Sequence, residues 1–461
     1  MNRELLCATL ADCLAHPRTA DLAAVLQSAH PSDLAGAMHT ASDGQVMQLL
    51  AEMNAQERAD IFVYFPPERQ TSLLALLPRH MAVALVEGMA ADERADLYHQ
   101  LDESQRERLL LALNQEERDD ILRLAAYAEG STGSATTSDF VALRPDMRVD
   151  EALRQVRATA ADRETIYIVY VLDKEGRLCG TLSLRELLLA DDARRIGDIM
   201  RRQPVWVRAE SPRAEAAELI RRYDLLALPV VNGEERMIGI ITVDDAMDIE
   251  KETDAAQLAR FGGTAAGGET DLDILATPLP QMFRVRVFWL ILLTLFGVAT
   301  SAFVAAQEAM LSQVIVLAAF IAPIVDMGGN TGSQSASLVI RGMALGDIGL
   351  CWRDVLRVVR RELPVAAGLG LVVALLEGIM AFFAKGIGGD VLLVVGLSML
   401  ICTALGGVVG ALLPFLARRL GTDPATLSSP LITSVMDLAG VFVYFSLAYV
   451  FLGNLLGQAS H

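Results

Sequence analysis

The chain has 461 residues, of which 53% are apolar, and its formal net charge is −18. The charge is unevenly distributed: residues 276–461 carry 10 basic and 9 acidic side chains, whereas residues 1–275 carry 29 and 48. An acidic soluble half therefore precedes a nearly neutral apolar half. Such an acidic chain lacks the basic surface that binds nucleic acid, and its five scattered cysteines fit neither a disulfide framework nor a zinc site.

Residues 1–129 are predicted to form an acidic domain of short stacked helices. The sequence ERAD at 57–60 recurs at 93–96, and ERDD follows at 117–120, each time before an apolar helical turn. Loose repeats of this kind indicate helical hairpins stacked into a small superhelix. Because the opening residues contain no apolar run long enough for a secretory signal, we expect this half to lie in the cytoplasm.

Residues 130–138 have the composition of a flexible linker. Two similar strand–turn–strand–helix units follow, at 139–199 and 200–248, and together they resemble the paired CBS module, a regulatory α/β unit that often binds adenosine nucleotides. Ser183 and Thr242 stand at equivalent places before acidic helix starts. There they either contact a nucleotide such as ATP or cap the helix, and the sequence leaves both interpretations open.

An acidic connecting helix and linker, residues 244–275, are predicted to join the CBS pair to the apolar half. Asp245 and Asp248 are three residues apart and Glu252 follows four later, so these side chains share one helical face. Like charges on one face repel unless a cation neutralises them. The face is therefore either solvated or a brace whose strength depends on bound cations.

The apolar half, residues 276–461, is predicted to cross a membrane five times as helices. The expected spans are about 284–306, 312–338, 363–384, 391–417 and 430–453. Arginines collect on alternate sides of these spans, which places the N-terminus in the cytoplasm and the C-terminus outside the cell membrane. The arginines concerned are Arg284, Arg286, Arg341, Arg353, Arg357, Arg360, Arg361, Arg418 and Arg419.

Three acids, Asp326, Glu377 and Asp437, interrupt these spans. A carboxylate in the middle of a bilayer costs about 3 kcal/mol, so it usually faces a polar cavity or a partner. For each acid alone, a hydrogen-bonded contact between helices is the alternative. Asp326 leads into the glycine-rich sequence MGGNTGSQSAS, which permits a broken helix with exposed carbonyls. Since these spans contain no lysine or arginine to pair with Asp326 or Asp437, a mobile cation is the expected partner.

The available ligands in these spans are carboxylate, amide, hydroxyl and carbonyl oxygens, which favour magnesium, calcium or manganese over zinc or copper. One acid per chain at a pore supplies little charge. That suits Mg2+, which gives up its waters reluctantly. A two-fold dimer would bring two copies of Asp437 onto its axis.

The order of these parts resembles the MgtE family of magnesium transporters over nearly the whole chain. The membrane segments that carry the resemblance are IAPIVDMGGNTGSQSASLVIRGMALGD at 321–347 and GTDPATLSSPLITSVMDLAGVFVYF at 421–445. HPSDLA at 30–35, ETIYIVYVLDKEGRL at 164–178 and TVDDAMD at 242–248 support it. The resemblance implies a homodimer in the lipid bilayer, with one central cation pore lined mainly by spans two and five.

The resemblance also implies roles for individual residues. In the membrane half, Asp437 holds hydrated Mg2+ on the axis, Asn330 and Ser429 line the pore near it, Asp326 is a further candidate ligand, and Asp423 is an acid near the start of span five. The cytoplasmic ligands that it implies are Asp60, Asp92, Asp96, Asp224, Asp245 and Asp248, and Glu250, Glu252 and Asp254 are further acids of the connecting helix. This chain has Thr253, Ala256 and Gln257 where the family tends to carry more acids.

The implied function is Mg2+ influx down its electrochemical gradient, shut off when cytoplasmic Mg2+ binds the acidic interfaces. An inside-negative potential drives a divalent ion inward by about 4.6 kcal/mol per 100 mV, so no nucleotide hydrolysis is required. Two alternatives stay open: transport of Co2+, Ni2+ or Mn2+, and a non-conducting membrane regulator whose CBS pair senses nucleotide. The sequence contains no catalytic constellation, so we do not expect an enzyme.

Overall fold

The computed structural model describes residues 29–39, 41–160, 163–264, 277–385, 388–426 and 429–458. Two compact units divide the chain, residues 1–251 and residues 252–461. The first unit contains the helical domain and the CBS pair, and the second contains the long apolar helices.

Short capped helices build the N-terminal domain. The Asn54 side chain accepts a hydrogen bond from the Glu57 amide at 2.9 Å, and the Glu57 carboxylate accepts one from the Asn54 amide at 3.0 Å. This reciprocal arrangement satisfies two amides that the helix itself leaves free, and Ser42 and Gln45 repeat it. The helices are α1 (Pro31–Met38), α2 (Asp43–Ala51), α3 (Ala55–Phe62), α4 (Pro67–Leu76), α5 (Arg79–Glu87), α6 (Ala91–Gln100), α7 (Glu103–Leu110) and α8 (Gln115–Leu124).

The first ERAD copy has a structural explanation. Glu57 closes the capping box, and Arg58 is buried, with its guanidinium donating to the Leu50 carbonyl at 3.0 Å and to the Met53 carbonyl at 2.9 Å. The motif therefore begins one helix and satisfies the carbonyl end of the preceding one. Its last residue, Asp60, is exposed.

The prediction of a flexible linker at 130–138 is wrong. Thr136 and Thr137 are almost fully buried, and Thr137 exchanges backbone hydrogen bonds with Ile240 at 2.9 Å in each direction. A Cβ on Gly239 would lie 2.2 Å from the Thr137 carbonyl oxygen, so the two chains meet closely where glycine leaves room. Small hydroxyl side chains suit this segment to close packing because their hydroxyls bond to nearby backbone carbonyls, as that of Thr136 does to Thr132 at 2.7 Å.

The CBS pair contains two small sheets with the same local design. One has the order β1-β2-β3-β4 and the other β5-β6-β7, and in each an antiparallel hairpin pairs with a short parallel strand. The elements are β1 (Ala142–Leu143), α9 (Val149–Thr159), β2 (Ile168–Leu172), β3 (Leu178–Ser183), α10 (Leu184–Leu189), α11 (Ile196–Ile199), β4 (Arg201–Arg202), β5 (Val207–Arg208), α12 (Arg213–Tyr223), β6 (Ala227–Val231) and β7 (Met237–Thr242). The connecting helix, α13 (Val243–Phe261), follows β7 directly.

Five helices of the second unit are long and apolar enough to cross a membrane, as predicted. The third begins earlier than expected because the arginine-rich segment before it is also helical. Helix α18 packs against both α16 and α17, and α19 packs against α14, α16 and α18. The helices are α14 (Leu279–Ala305), a short α15 (Glu308–Gln313), α16 (Ala318–Ala344), α17 (Trp352–Lys385), α18 (Gly389–Arg419) and α19 (Ser429–Gln458).

The glycine-rich part of α16 is continuous helix, so the break that its sequence permits does not occur. Its glycines serve close packing instead. A Cβ on Gly406 of α18 would lie 2.1 Å from the Gly328 carbonyl oxygen, and one on Gly410 would lie 2.0 Å from the Gly332 carbonyl oxygen. Pairs of glycines four residues apart thus let the two backbones touch, as membrane helices often do.

We expect Gly410→Ala to lower the melting temperature of the full-length protein in detergent by several degrees, because overpacking a tight contact costs about 1–3 kcal/mol. Gly396→Ala on the same helix is the control, since a Cβ there meets nothing within 4 Å. Differential scanning fluorimetry measures both. Equal melting temperatures for the two variants would contradict the close contact.

Candidate functional site

Helices α16 and α19 meet along a face that carries several of the predicted residues. The Ser333 and Ser429 hydroxyls are hydrogen-bonded at 2.9 Å. One turn away, a Cβ on Gly329 would lie 2.9 Å from the Thr433 methyl group. A Cβ on Gly440 would lie 3.3 Å from Val325. These contacts fix the register of the two helices, and the face that carries them is called the α16–α19 face.

The predicted intramembrane ligands lie at this face. Asp326 accepts a hydrogen bond from the Asn330 amide at 3.0 Å, one helical turn along α16. Asp437, which is half-buried on α19, lies close enough to Asp326 for the two charges to repel each other. Two carboxylates, an amide and the hydroxyl of Ser429 are thus arranged along one pair of helices. Glu377 lies on α17, not on either of these two.

A polar stripe on α16 extends beyond the residues that the sequence pattern singled out. At 100° per residue its members fall within an arc of about 100°. Asp326, Asn330, Gln334 and Ser337 are exposed in the single chain, and Arg341 lies on the same stripe near the helix end. Spacings of three and four residues between polar side chains were the signal for Gln334 and Ser337. A polar stripe of this length in a membrane span must face water or another protein surface.

Asp423 lies in the loop between α18 and α19, in front of the short 3-10 turn Pro424–Thr426. One carboxylate oxygen accepts a hydrogen bond from the Ala425 amide at 2.9 Å. The other forms an ion pair with Arg260, in the last turn of α13. Asp423 is therefore engaged by groups of the protein in this structure.

In the first unit, two of the predicted acids approach each other. Asp92 on α6 and Asp245 on α13 interact electrostatically. Burial, and after it the neighbouring Asp245 charge, raise the pKa of Asp92 well above its usual range. Burial also raises the pKa of Asp245. The hydrogen bond that Asp245 accepts from Thr242 opposes this effect and lowers the pKa in part. We call Asp92, Glu93, Glu164 and Asp245 the cytoplasmic acidic cluster.

Glu93 and Glu164 complete the cytoplasmic acidic cluster, and sequence reasoning missed both. Burial raises the pKa of Glu93 from 4.5 to about 7, although its carboxylate accepts the Ala90 amide at 3.0 Å, and Glu164 and Asp245 add repulsion. Burial and the Asp245 charge raise the pKa of Glu164 as well. Glu93 is part of the second ERAD copy, which the sequence marked only as a helical repeat, and Glu164 precedes a strand without any motif.

The remaining predicted acids lie outside this cluster. Asp60 is exposed and accepts a hydrogen bond from the Gln56 side-chain amide at 2.8 Å. Its charge also repels that of Glu93. Asp224 ends α12 in a left-handed conformation with φ of 51°, which accounts for its polar side chain. Glu250 is paired with Arg221 at 2.9 Å. Four further predicted acids are exposed: Asp96, Asp248, Glu252 and Asp254.

Ser183 caps α10, and Thr242 stands directly before α13. The Thr242 hydroxyl bonds to the Asp245 carboxylate at 2.6 Å, and the Ser183 hydroxyl to the Glu186 carboxylate at 2.7 Å. Arg201 also donates two bonds to Glu186, at 2.8 and 2.9 Å. Both hydroxyls are therefore engaged at the starts of helices.

A cavity of about 1300 Å3 in the first unit is lined by acids of the helical domain and of the CBS region. Asp60, Glu93, Asp139 and Glu164 lie on its walls together with Arg94. Among the residues that the structure describes, no three His, Cys, Asp or Glu side chains converge as in a closed metal centre. The acids therefore surround a wide, water-accessible space.

Comparisons with known proteins agree with this architecture. Residues 321–447 match a family model described as a divalent cation transporter, MgtE. Residues 29–130 match the MgtE intracellular N domain, and residues 133–192 and 196–252 match the CBS domain.

Relatives of full length are similar along the whole chain. The magnesium transporter MgtE of Thermus thermophilus is 35% identical over 97% of this chain and 99% of the relative. That of Bacillus subtilis is 29% identical over 94% of this chain and 95% of the relative.

Two solved structures resemble the first unit. A crystal structure of the cytosolic domain of the Mg2+ channel MgtE in complex with ATP is 35% identical, covers 53% of this chain and 99% of that chain, and has a TM-score of 0.51. The soluble part of a magnesium transporter is 29% identical, covers 55% and 99%, and has a TM-score of 0.52. The chain, a multi-pass protein with an N-terminal helical domain and a CBS pair, therefore belongs to the MgtE family of magnesium transporters.

Proposed function

We propose that this chain forms a homodimeric, Mg2+-selective channel that admits Mg2+ down its electrochemical gradient and closes when cytoplasmic Mg2+ is high. The observation that carries the proposal is the polar stripe of α16, exposed in the single chain, beside the half-buried Asp437 of α19. In a membrane this stripe needs a watery or protein surface opposite it. A second copy related by a two-fold axis supplies that surface and encloses a path.

The ligand set favours an ion that keeps its waters. Asp437, Asn330 and Ser429 supply oxygen atoms, but the described residues contain no closed cluster of metal-binding side chains. Mg2+ holds its hydration shell more firmly than Ca2+ and is commonly bound through one or two carboxylates. In a dimer, two Asp437 carboxylates facing a hydrated ion offset its charge without stripping it. Transport of Co2+, Ni2+ or Mn2+ is the competing selectivity.

Closure follows from the cytoplasmic acidic cluster. Asp92, Glu93, Glu164 and Asp245 repel one another when ionised, because their raised pKa values reflect burial together with like charge. Cytoplasmic Mg2+ would offset these charges and hold the helical domain on the CBS pair. When Mg2+ is scarce, repulsion loosens the contact and releases the connecting helix.

An adenine nucleotide is the second ligand that we propose, at the CBS pair. It is supported by the relative whose cytosolic domain was solved in complex with ATP. In this chain a phosphate oxygen that accepted a hydrogen bond from Ser183 or Thr242 would have to displace the carboxylate to which each hydroxyl now donates. At Thr242, its binding would therefore be coupled to Asp245, one of the acids that we propose bind Mg2+.

The orientation proposed from the arginines places the helical domain and CBS pair in the cytoplasm. The loop between α16 and α17 then lies on the same side, and the C-terminus lies outside. Mg2+ that enters through the membrane would then raise the Mg2+ concentration on the side of the membrane where the cytoplasmic acidic cluster lies.

Asp437→Asn is expected to reduce Mg2+ influx at least tenfold in proteoliposomes, because it removes the charge that faces the ion while keeping the size of the side chain. Glu377→Gln is the matched control, an intramembrane acid on α17, and should conduct normally. A fluorescent Mg2+ indicator reads the flux, and a melting curve checks folding. Normal flux through a well-folded Asp437→Asn protein would reject the assignment.

Gln334→Leu tests whether the whole polar stripe lines the path. It should reduce Mg2+ flux several-fold, because an apolar side chain cannot hydrogen-bond the waters of the passing ion. Leu338→Ala is the control. Leu338 lies one turn beyond Gln334 and is 61% exposed, but it is outside the polar arc. If both variants conduct equally well, the stripe faces a protein contact instead.

The cytoplasmic acidic cluster predicts a pH effect with a definite sign. Because the pKa of Glu93 is raised from 4.5 to about 7, the folded state binds more protons than the unfolded state in that range. Without Mg2+, the full-length protein should therefore lose stability as the pH rises from about 5 to 8, and added Mg2+ should flatten the slope. Melting temperatures at each pH measure this.

Glu93→Gln should show a shallower dependence on pH than the unmodified chain, because one of the titrating groups is gone. Glu103→Gln is its control, an exposed acid in the first turn of α7. A protein that is more stable at pH 8 than at pH 6 without Mg2+ would contradict the repulsion.

A further inference from the structure

The connecting helix carries an arginine where it ends. Arg260 lies in the last turn of α13, and the helix closes behind it with the Gly263 amide donating to the Arg260 carbonyl at 3.0 Å and Gly263 at φ of 69°. A cation in the last turn is also favoured by the helix dipole. The guanidinium is thus presented from a defined helix end.

The partner of Arg260 is Asp423, which lies 163 residues later in the chain. The two side chains are 32% and 24% exposed, so water screens the pair less than it does an ordinary surface ion pair. Because the other Asp423 oxygen accepts the Ala425 amide, the carboxylate is oriented by the turn that precedes α19. That helix carries Ser429 and Asp437, so the ion pair joins the connecting helix to the base of an ion-path helix.

The composition of the last two turns of α13 favours a guanidinium over a divalent cation as the partner of Asp423. Residues 255–261 read AAQLARF and contain one basic and no acidic side chain. A divalent cation between this stretch and Asp423 would have a single carboxylate to bind, that of Asp423. The protein's own guanidinium already offsets that charge.

On the basis of the proposed function, we infer that Arg260 is a built-in counter-cation that fixes the end of the connecting helix to the loop at the base of α19. It neutralises the Asp423 carboxylate from within the chain, without a bound divalent cation. Arg260 is thus a positioning residue of the gate, since its partner is Asp423 and not one of the residues proposed to line the ion path. Asp423 accordingly acts in coupling rather than in binding the transported ion.

The experiment is a double-mutant cycle in the full-length protein with Arg260→Gln, Asp423→Asn and the two combined. Asn at position 423 keeps an oxygen that can accept the Ala425 amide. In proteoliposomes with varied internal Mg2+, each single variant should raise the Mg2+ concentration for half-closure about fivefold, the order expected for one half-buried ion pair. The double variant should equal a single variant, and Arg260→Lys should recover most of the response. Flux at low internal Mg2+ should stay unchanged.

Arg221→Gln is the matched control, because Arg221 also pairs with the connecting helix, through Glu250, but at its CBS end. Additive effects of the two single variants, or a shift in Arg221→Gln as large as that in Arg260→Gln, would overturn the inference. Melting temperatures of the unmodified chain, the two single variants of the cycle and the double variant give a readout independent of transport. If the changes in melting temperature are non-additive but the unmodified chain does not close on internal Mg2+, the proposed gating is rejected. The coupling role of the ion pair is then rejected as well. If closure is normal and both readouts are additive, only the role of Arg260 is rejected.

Discussion

Repulsion between carboxylates that folding brings close together is the interaction on which both halves of this protein depend. Asp92 and Asp245 approach each other from different domains of the first unit, and Asp326 and Asp437 from different helices of the second. In each place, like charges in partly buried positions cost free energy of folding. Hydrophobic side chains of the same size would not have this cost. Such an arrangement is understandable where cations bind and leave, because the energy of the contact then depends on the cation concentration.

Tight glycine contacts make the membrane part of this arrangement possible. Since Gly328 and Gly332 let α16 lie directly against α18, that side of α16 is filled by backbone. The exposed polar side chains lie on the opposite stripe, and α19 packs alongside it through Gly329 and Thr433. The glycine-rich sequence thus positions the carboxylates through helix packing. Exposing carbonyls, the role that broken helices have in other transporters, is unnecessary here.

The sequence was a good guide where one residue type has one structural meaning. A run of about 20 predominantly apolar residues is long enough to cross a membrane, so all five spans were predictable, and Asp437 was noticeable because a charge in such a span is rare. It was a poor guide where small polar residues were concerned. Residues 130–138 and the MGGNTGSQSAS segment both read as irregular, yet one is buried against β7 and the other is helix. Glu164 and the Arg260–Asp423 pair were unpredictable because they depend on contacts between distant segments.

The ion pair at Asp423 bears on how a gate of this kind can be set. A bound Mg2+ contributes to closure only in proportion to its occupancy, whereas a guanidinium on the same chain has an effective concentration fixed by the fold. If Arg260 supplies one of the contacts that hold the connecting helix, fewer Mg2+ ions have to bind for closure, and the response to Mg2+ becomes less steep. The acids that remain in the cytoplasmic acidic cluster would then set the threshold, while Arg260 sets how firmly the helix stays docked at a given occupancy. A chain with acids in place of Ala256 and Gln257 would reverse this division, gaining steepness and losing closure whenever Mg2+ is withdrawn.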